Sequence, residues 1–134
     1  GVLNKDLFIE FCLPYLNRIR EELRDAKMIY FPKDGWYALE SLKEINFDVI
    51  SLDWTITPGY ARMIFGNGQI LQGNMDPSVL YADDSIISTE SLGIMSGFGR
   101  NHIFNLGHGV YPDIDKDKVK HLVQCIKEYE YPKS

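Results

Sequence analysis

Residues 102–113 read HIFNLGHGVYPD and join an apolar strand candidate to a turn built around one histidine. The apolar run that begins at His102 stops at Gly107, and His108 lies between Gly107 and Gly109. Glycine on both sides permits a sharp turn and removes neighbouring side chains. The pattern predicts an imidazole presented at a strand end, where it can exchange a proton or bind a ligand near neutral pH. The open alternative is a tight turn whose histidine only bonds a backbone carbonyl.

The same succession of apolar strand, polar loop and helix occurs four times along the chain. The predicted strands span 27–31, 48–52, 69–72 and 102–106. The predicted helices span 1–25, with a kink or split at Pro14, 37–45, a segment beginning at Pro58, and 115–129. Between the last two strands we expect a helix or an irregular region, broken by Gly93, Gly97 and Gly99.

Four strand–loop–helix units in succession predict a parallel sheet of the α/β class. The strands are continuously apolar, which predicts burial on both faces. A complete (β/α)₈ barrel needs about 250 residues, so the 134 residues are interpreted as the C-terminal half of a TIM barrel and as one domain. Because an isolated half leaves two open strand edges and an exposed inner face, we expect a segment of a longer polypeptide.

Composition excludes several classes of protein. The net charge of −5 and the absence of a lysine or arginine cluster argue against a nucleic-acid partner. No apolar run approaches the roughly 20 residues that cross a bilayer, so no membrane partner is expected. The two cysteines, Cys12 and Cys125, lie in predicted helices and do not indicate a disulfide framework.

Two motifs resemble metal sites but lack the residues that such sites require. The acidic run at 113–117 resembles the start of a calcium loop, but Lys118 and Gln124 stand where that loop needs glycine and glutamate. The run is therefore interpreted as a helix cap. His121 and Cys125 are one helical turn apart, but His121 lies opposite the apolar stripe of its helix and is predicted to face solvent. Two ligands do not make a structural zinc site.

Four polar residues follow the predicted strands, namely Asp34, Asp53, Asn74 and His108. In a barrel the loops after the strands meet at one mouth. These residues are therefore predicted to converge on a polar pocket, although Asp53 and Asn74 are equally compatible with holding loops in place.

Several blocks of the chain resemble the uroporphyrinogen decarboxylase family. The most specific blocks are LDWT at 52–55, LQGNMDP at 71–77 and NLGHGVYPD at 105–113. FPKDG at 31–35 and the helix from Leu7 to Tyr15 resemble two further blocks of that family, in the right order. The resemblance is weakest over 83–100.

The resemblance implies a TIM-barrel carboxy-lyase, usually a homodimer, that uses no metal or organic cofactor. It implies conversion of the four acetate side chains of uroporphyrinogen to methyl groups, giving coproporphyrinogen in haem biosynthesis. It implies that His108 binds substrate at the carboxylate rim, with help in proton delivery, and carries over no catalytic residue or metal ligand. The location implied is the cytoplasm or a plastid-type organelle.

The family's arginine-rich motif, central aspartate, tyrosine and serine are not found in this chain. The missing N-terminal half of the barrel is therefore an expected partner, and the segment alone is expected to be inactive.

Two alternatives remain open. One is a zinc-dependent methyltransferase of the same superfamily, acting on corrinoids or thiols. Its relatives carry a thiolate ligand near the last strand end, where this chain has His108. The other is a non-catalytic half-barrel that serves as an interaction module.

The half-barrel interpretation makes a prediction about the isolated chain. Residues 1–134 expressed alone should self-associate on gel filtration and unfold without a sharp transition, because two strand edges and one sheet face are left open. A cooperatively unfolding monomer would contradict this interpretation.

Overall fold

The computed structural model describes residues 2–132. Its helices are α1 Lys5–Phe11, α2 Leu13–Glu22, α3 Leu39–Leu42, α4 Pro58–Phe65, α5 Asp84–Phe98 and α6 Lys116–Glu128. Its strands are β1 Ile29–Tyr30, β2 Val49–Ser51, β3 Ile70–Met75 and β4 His102–Leu106. Short 3₁₀ turns occupy Trp36–Ala38 and Pro77–Tyr81. None of the helices in this part of the chain is long and apolar enough to cross a membrane.

The four strands form one parallel sheet in the order β1-β2-β3-β4. Each strand is followed by a helix before its neighbour begins, which confirms the predicted α/β alternation. All strand ends therefore open onto the same edge of the sheet. The predicted convergence of the polar loops follows from this order.

The outer face of the sheet is covered by helices and carries the core. One cluster packs Ile50, Leu52 and Leu71 against α3 and α4. A second cluster joins Met75 to Ile87 of α5 and Leu122 of α6. Burial of this apolar surface stabilises the sheet at about 25 cal/mol per Å².

The inner face of the sheet is open in the described part of the chain. Ile29, Ile70 and Ile103 are 56%, 39% and 43% exposed. The predicted burial of strands on both faces is right for β2 and wrong for β4, whose residues alternate between exposed and partly buried. The exposed inner face that was predicted for a half-barrel is therefore found at β1, at the start of β3 and at β4, whereas Val49 and Ser51 of β2 are buried.

The predicted split of the first helix near Pro14 is confirmed, and two other boundaries need correction. The helix divides at Cys12, so that Pro14 lies in the first turn of α2, where proline is tolerated. Strand β3 continues through Asn74 to Met75 instead of ending at Gln72. The predicted helix at 37–45 is shorter, with a 3₁₀ turn leading into α3.

Helix α5 is continuous, although Gly93 and Gly97 were expected to break it. Each glycine costs a helix up to about 1 kcal/mol relative to alanine. Burial of Ile87, Met95 and Phe98 along one side offsets that cost. At Gly97 a Cβ would lie 2.8 Å from the Pro58 side chain, so glycine also permits close packing against α4.

Helix α6 confirms one prediction and corrects another. Asp115 caps its first turn by accepting a hydrogen bond from the Asp117 N–H at 2.9 Å, as the capping interpretation predicted. The prediction that His121 faces solvent is wrong, because its Nε2 lies 2.9 Å from Ser88 Oγ on α5. His121 packs against polar side chains of α5, a contact that the apolar periodicity of α6 by itself does not predict.

His102 begins β4 and is held between the sheet and α5. Its ring stacks on Phe98 with 4.4 Å between centroids, and its Nε2 donates to the Gly73 carbonyl at 2.6 Å. Its Nδ1 is buried and has no hydrogen-bond partner within residues 2–132. Burial lowers the pKa of His102, and the nearby charge of Arg62 lowers it further. The hydrogen bond to the Gly73 carbonyl acts in the opposite direction but does not cancel these effects. The folded protein therefore favours neutral His102.

This environment predicts a pH dependence of stability. The unfolded chain binds a proton at His102 near pH 6.5, while the folded chain resists it, so stability falls as pH drops below that value. Urea midpoints of the intact polypeptide should decrease from about pH 7.5 to about pH 5.5. His102→Gln keeps an N–H donor for Gly73 but does not titrate, and should flatten this decrease. An equal decrease in both proteins would refute the assignment.

Candidate functional site

A groove lies on the inner face of the sheet and reaches the loop that contains His108. It is lined by Ile29, Phe31, Ser51, Gln72, Asn105, Leu106, His108 and Gly109. Its lining combines the apolar Ile29, Phe31 and Leu106 with polar side chains from β2, β3 and β4 and with the His108 loop. In barrels of parallel strands the carboxyl ends of the strands hold the ligand site, so the groove is the candidate functional site.

The turn at His108 is fixed by close contact with the loop after β2. The Gly107 N–H donates to the Met75 carbonyl at 2.8 Å. A Cβ at Gly107 would collide with the backbone nitrogen of Trp54. Glycine is required here because two backbones meet, and the contact positions His108 beside Trp54.

The His108 ring makes one backbone hydrogen bond, and the residue lines the groove. Its Nδ1 lies 2.7 Å from the Gly109 carbonyl oxygen and donates to it. Its Nε2 lies 3.5 Å from the Tyr111 hydroxyl, a distance at which a hydrogen bond is weak. The edge of the ring packs against Trp54, with 4.7 Å between centroids. The carbonyl bond expected for a tight turn is therefore present, and the binding of a ligand by His108 stays a prediction.

Asp53 is only 2% exposed and ties two loops together. Its Oδ2 accepts the Asp34 N–H at 2.8 Å, and its Oδ1 accepts the Thr55 N–H at 2.9 Å. The Thr55 hydroxyl donates to the same Oδ1. A buried carboxylate is tolerated when hydrogen bonds replace its lost hydration. The Asp53 carboxylate therefore holds the loop after β1 against the loop after β2.

Asn74, on β3, is a second buried residue that holds the loop after β2. Its side chain is 4% exposed, and its Nδ2 donates to the Asp53 carbonyl at 2.7 Å and to the Ile56 carbonyl. The peptide bond between Gly73 and Asn74 is cis. The four predicted strand-end residues follow neighbouring strands of one sheet, but of the four only His108 lines the groove. Asp53 and Asn74 are instead bonded to loop backbone.

Lys33 is a cation at this mouth that the sequence analysis did not single out. Its Nζ lies 2.7 Å from Asp34 Oδ2 and 5.7 Å from the centre of the Trp54 ring. The hydrogen bond to Asp34 raises the pKa of Lys33, and the same bond lowers the pKa of Asp34. Lys33 therefore stays charged near the ring that contacts His108.

The groove-lining Ser51, Gln72 and Asn105 were also missed. The predicted strands were read as uniformly apolar, whereas these polar residues occupy the inward position of each strand. A signal was available, because residues two apart on a strand share one face. Counting back by two from Asp53 and Asn74 finds Ser51 and Gln72, whereas Asn105 is three residues before His108 and is not found in this way.

The loop after β4 has a second anchor on the far side of His108. The Tyr81 hydroxyl donates to Asp113 Oδ1 at 2.6 Å. This bond raises the pKa of Tyr81 to about 12. Tyr111 packs beside both Tyr81 and His108, so the anchored loop also supports the histidine.

A metal-binding cluster is not seen in the part of the chain that the structure describes. Within residues 2–132 no three histidine, cysteine or acidic side chains gather closely enough to hold an ion. Cys12 lies between α1 and α2, and Cys125 lies in α6. Neither thiol is at a strand end, where the zinc alternative would place one.

Comparison with known proteins gives a consistent result. The family model described as Uroporphyrinogen decarboxylase (URO-D) matches residues 1–129. The chain is 42% identical over 139 residues to uroporphyrinogen decarboxylase of Danio rerio, and 39% identical over 139 residues to that of Homo sapiens. It is 39% identical over 134 residues to that of Salinibacter ruber. Each match covers 96% of this chain, which spans 38% of the length of these curated relatives.

A solved structure supports the fold. A methyltransferase from Methanosarcina mazei superposes with a TM-score of 0.81 and 18% sequence identity. The match covers 94% of this chain and 38% of that protein. At this identity the likeness concerns the fold alone, and it agrees with half of a barrel.

The contact at Gly107 yields a matched pair of variants. Gly107→Ala should lower the free energy of unfolding by about 1–3 kcal/mol, because its Cβ strikes the Trp54 backbone. Gly109→Ala has no heavy atom within 4 Å of its added Cβ and should change stability little. Urea denaturation of both variants measures the difference. Equal stability of the two would show that the close approach is not required.

Proposed function

The chain belongs to the uroporphyrinogen decarboxylase family, and we propose that it forms part of a carboxy-lyase of haem biosynthesis. The proposed reaction converts the four acetate side chains of uroporphyrinogen to methyl groups and gives coproporphyrinogen. The observation that carries the proposal is the position of His108, at the mouth of the groove in a chain that matches the family over residues 1–129.

The proposed role of His108 is to bind a carboxylate of the substrate. Since Nδ1 donates to the Gly109 carbonyl, a protonated ring has its Nε2–H left to point at a ligand. An anion at that position favours the protonated imidazole and forms a charge-assisted hydrogen bond. The same proton is suitably placed to help deliver protons to the reacting pyrrole.

Lys33 is proposed as a second cation for the substrate rim. Its ion pair with Asp34 is about half exposed on both sides, and exposed pairs contribute at most about 1 kcal/mol. A substrate with several carboxylates can therefore compete for Lys33. The acidic net charge does not oppose this, because the local charge at a site decides the binding of an anion.

The remaining half of a barrel is proposed as the occupant of the open inner face. The exposed Ile29, Ile70 and Ile103 supply an apolar surface for it, and β1 and β4 supply two edges to which further strands can pair. That half would contribute the arginines and the central aspartate that the resemblance implies. We further propose a homodimer acting in the cytoplasm or in a plastid-type organelle.

The alternative of a zinc-dependent methyltransferase gains no support from the described residues. The methyltransferase that shares the fold is 18% identical, which carries no argument about chemistry. The two cysteines lie away from the groove, in positions that do not suit a zinc-activated thiol.

The test measures decarboxylation by the intact polypeptide that carries this chain. Uroporphyrinogen is supplied under anaerobic conditions, and products are separated by liquid chromatography. His108→Asn should raise KM more than it lowers kcat, because it removes a binding contact. Loss of one hydrogen bond to a charged group costs about 1.5–3 kcal/mol, or roughly ten- to a hundredfold in kcat/KM.

His121→Gln is the matched control, since it changes a histidine on the outer helices and should leave decarboxylation unchanged. Unaltered kinetics of the His108 variant would remove that residue from the site. Absence of decarboxylation by the folded intact protein would overturn the proposed function itself.

A further inference from the structure

We propose that Cys125 is a reactive thiol that exchanges with small disulfides, and that His121 carries the proton in that exchange. The site lies between α5 and α6, on the outer side of the sheet, whereas the groove of His108 lies on the inner side. It is therefore independent of the proposed decarboxylation.

Three polar side chains meet at this helix contact. Ser88 Oγ lies 2.9 Å from His121 Nε2 and 3.3 Å from Cys125 Sγ. The Cys125 Sγ lies 3.5 Å from His121 Nε2, within the range of a hydrogen bond to sulfur. The imidazole therefore has direct access to the thiol proton.

Asp84 of α5 holds the His121 ring beside the thiol. The Asp84 carbonyl oxygen lies 3.0 Å from Nε2, and Asp84 Oδ2 lies 4.0 Å from Nδ1. Asp84 therefore has an oxygen near each ring nitrogen of His121. Lys118, at 2.8 Å from Asp84 Oδ1, holds the carboxylate in position. An imidazole beside a partly exposed thiol is the arrangement found at reactive cysteines.

An open groove gives a reagent access to the sulfur. It is lined by Ser88, Leu92, Cys125, Glu128, Tyr129 and Glu130. The carboxylates of Glu128 and Glu130 repel anions, so the groove favours uncharged or cationic disulfides. Leu92 and Tyr129 supply apolar contact for the remainder of a small reagent.

The proposed exchange is balanced in atoms and electrons. His121 takes the proton of the Cys125 thiol, and the thiolate attacks one sulfur of the disulfide. A new sulfur–sulfur bond forms on Cys125, the original one breaks, and the departing thiolate takes the proton back from His121. The products are a mixed disulfide on Cys125 and one free small thiol.

The experiment follows individual cysteines in the intact, reduced polypeptide. The protein is treated with 2-hydroxyethyl disulfide, which is uncharged, and each cysteine is quantified by acid quench and peptide mass spectrometry. The same reaction in urea gives the rate of the unfolded chain, and Cys12 is the internal control. Cys125 in the native protein should react at least about threefold faster than Cys125 in the unfolded chain. Because the thiol is more accessible in the unfolded chain, accessibility cannot explain a faster native reaction.

His121→Gln separates proton transfer from packing, since its amide can keep a hydrogen bond to Ser88 or Asp84. With helix content unchanged by circular dichroism, it should abolish the native acceleration at Cys125 and leave Cys12 unaffected. A native rate no greater than the unfolded rate, or a rate unchanged by the substitution, would overturn the proposal. Cystamine should react faster than glutathione disulfide, and the reverse order would refute the charge preference.

Discussion

The mouth of this half-barrel depends on the hydrogen bonds of one buried residue, Asp53. Its carboxylate accepts from the loop after β1 and from its own loop, and its carbonyl accepts from Asn74 of β3. The next residue, Trp54, meets both the Gly107 backbone and the His108 ring. Since a buried charge is costly without such partners, the carboxylate and the loops stabilise one another. The four strand ends are thereby connected through a single short segment.

The two faces of the sheet differ in their surroundings. Its outer face is packed by helices and carries the apolar core, which gives the site a rigid support. Its inner face ends in polar side chains and the His108 loop. The groove is built from groups fixed on strands and on anchored loops, which is the condition for precise binding.

The three histidines illustrate how environment decides the role of one residue type. His102 is buried against Phe98, with only one ring nitrogen bonded, and is kept neutral. His108 uses one nitrogen for a backbone carbonyl, and its other nitrogen lies 3.5 Å from the Tyr111 hydroxyl. His121 sits among acceptors next to a thiol. The imidazole is the same in each case, and the contacts around it differ.

The sequence alone determined the alternation of strands and helices, because local signals specify it. Pro58 and Asp115 marked helix starts, and the Gly107 turn marked the end of β4, as the structure confirms. The position of His108 at a strand end also followed from the chain order. These features depend on neighbours in sequence, such as caps, turns and apolar runs.

Only the tertiary structure decided what each side chain contacts. It extended β3 through Asn74, kept α5 continuous, turned His121 toward Ser88 and brought Lys33 to Trp54. Each of these outcomes rests on a partner at least 18 residues away along the chain. Periodicity reports which face of an element is apolar, but it does not report which surface that face will meet.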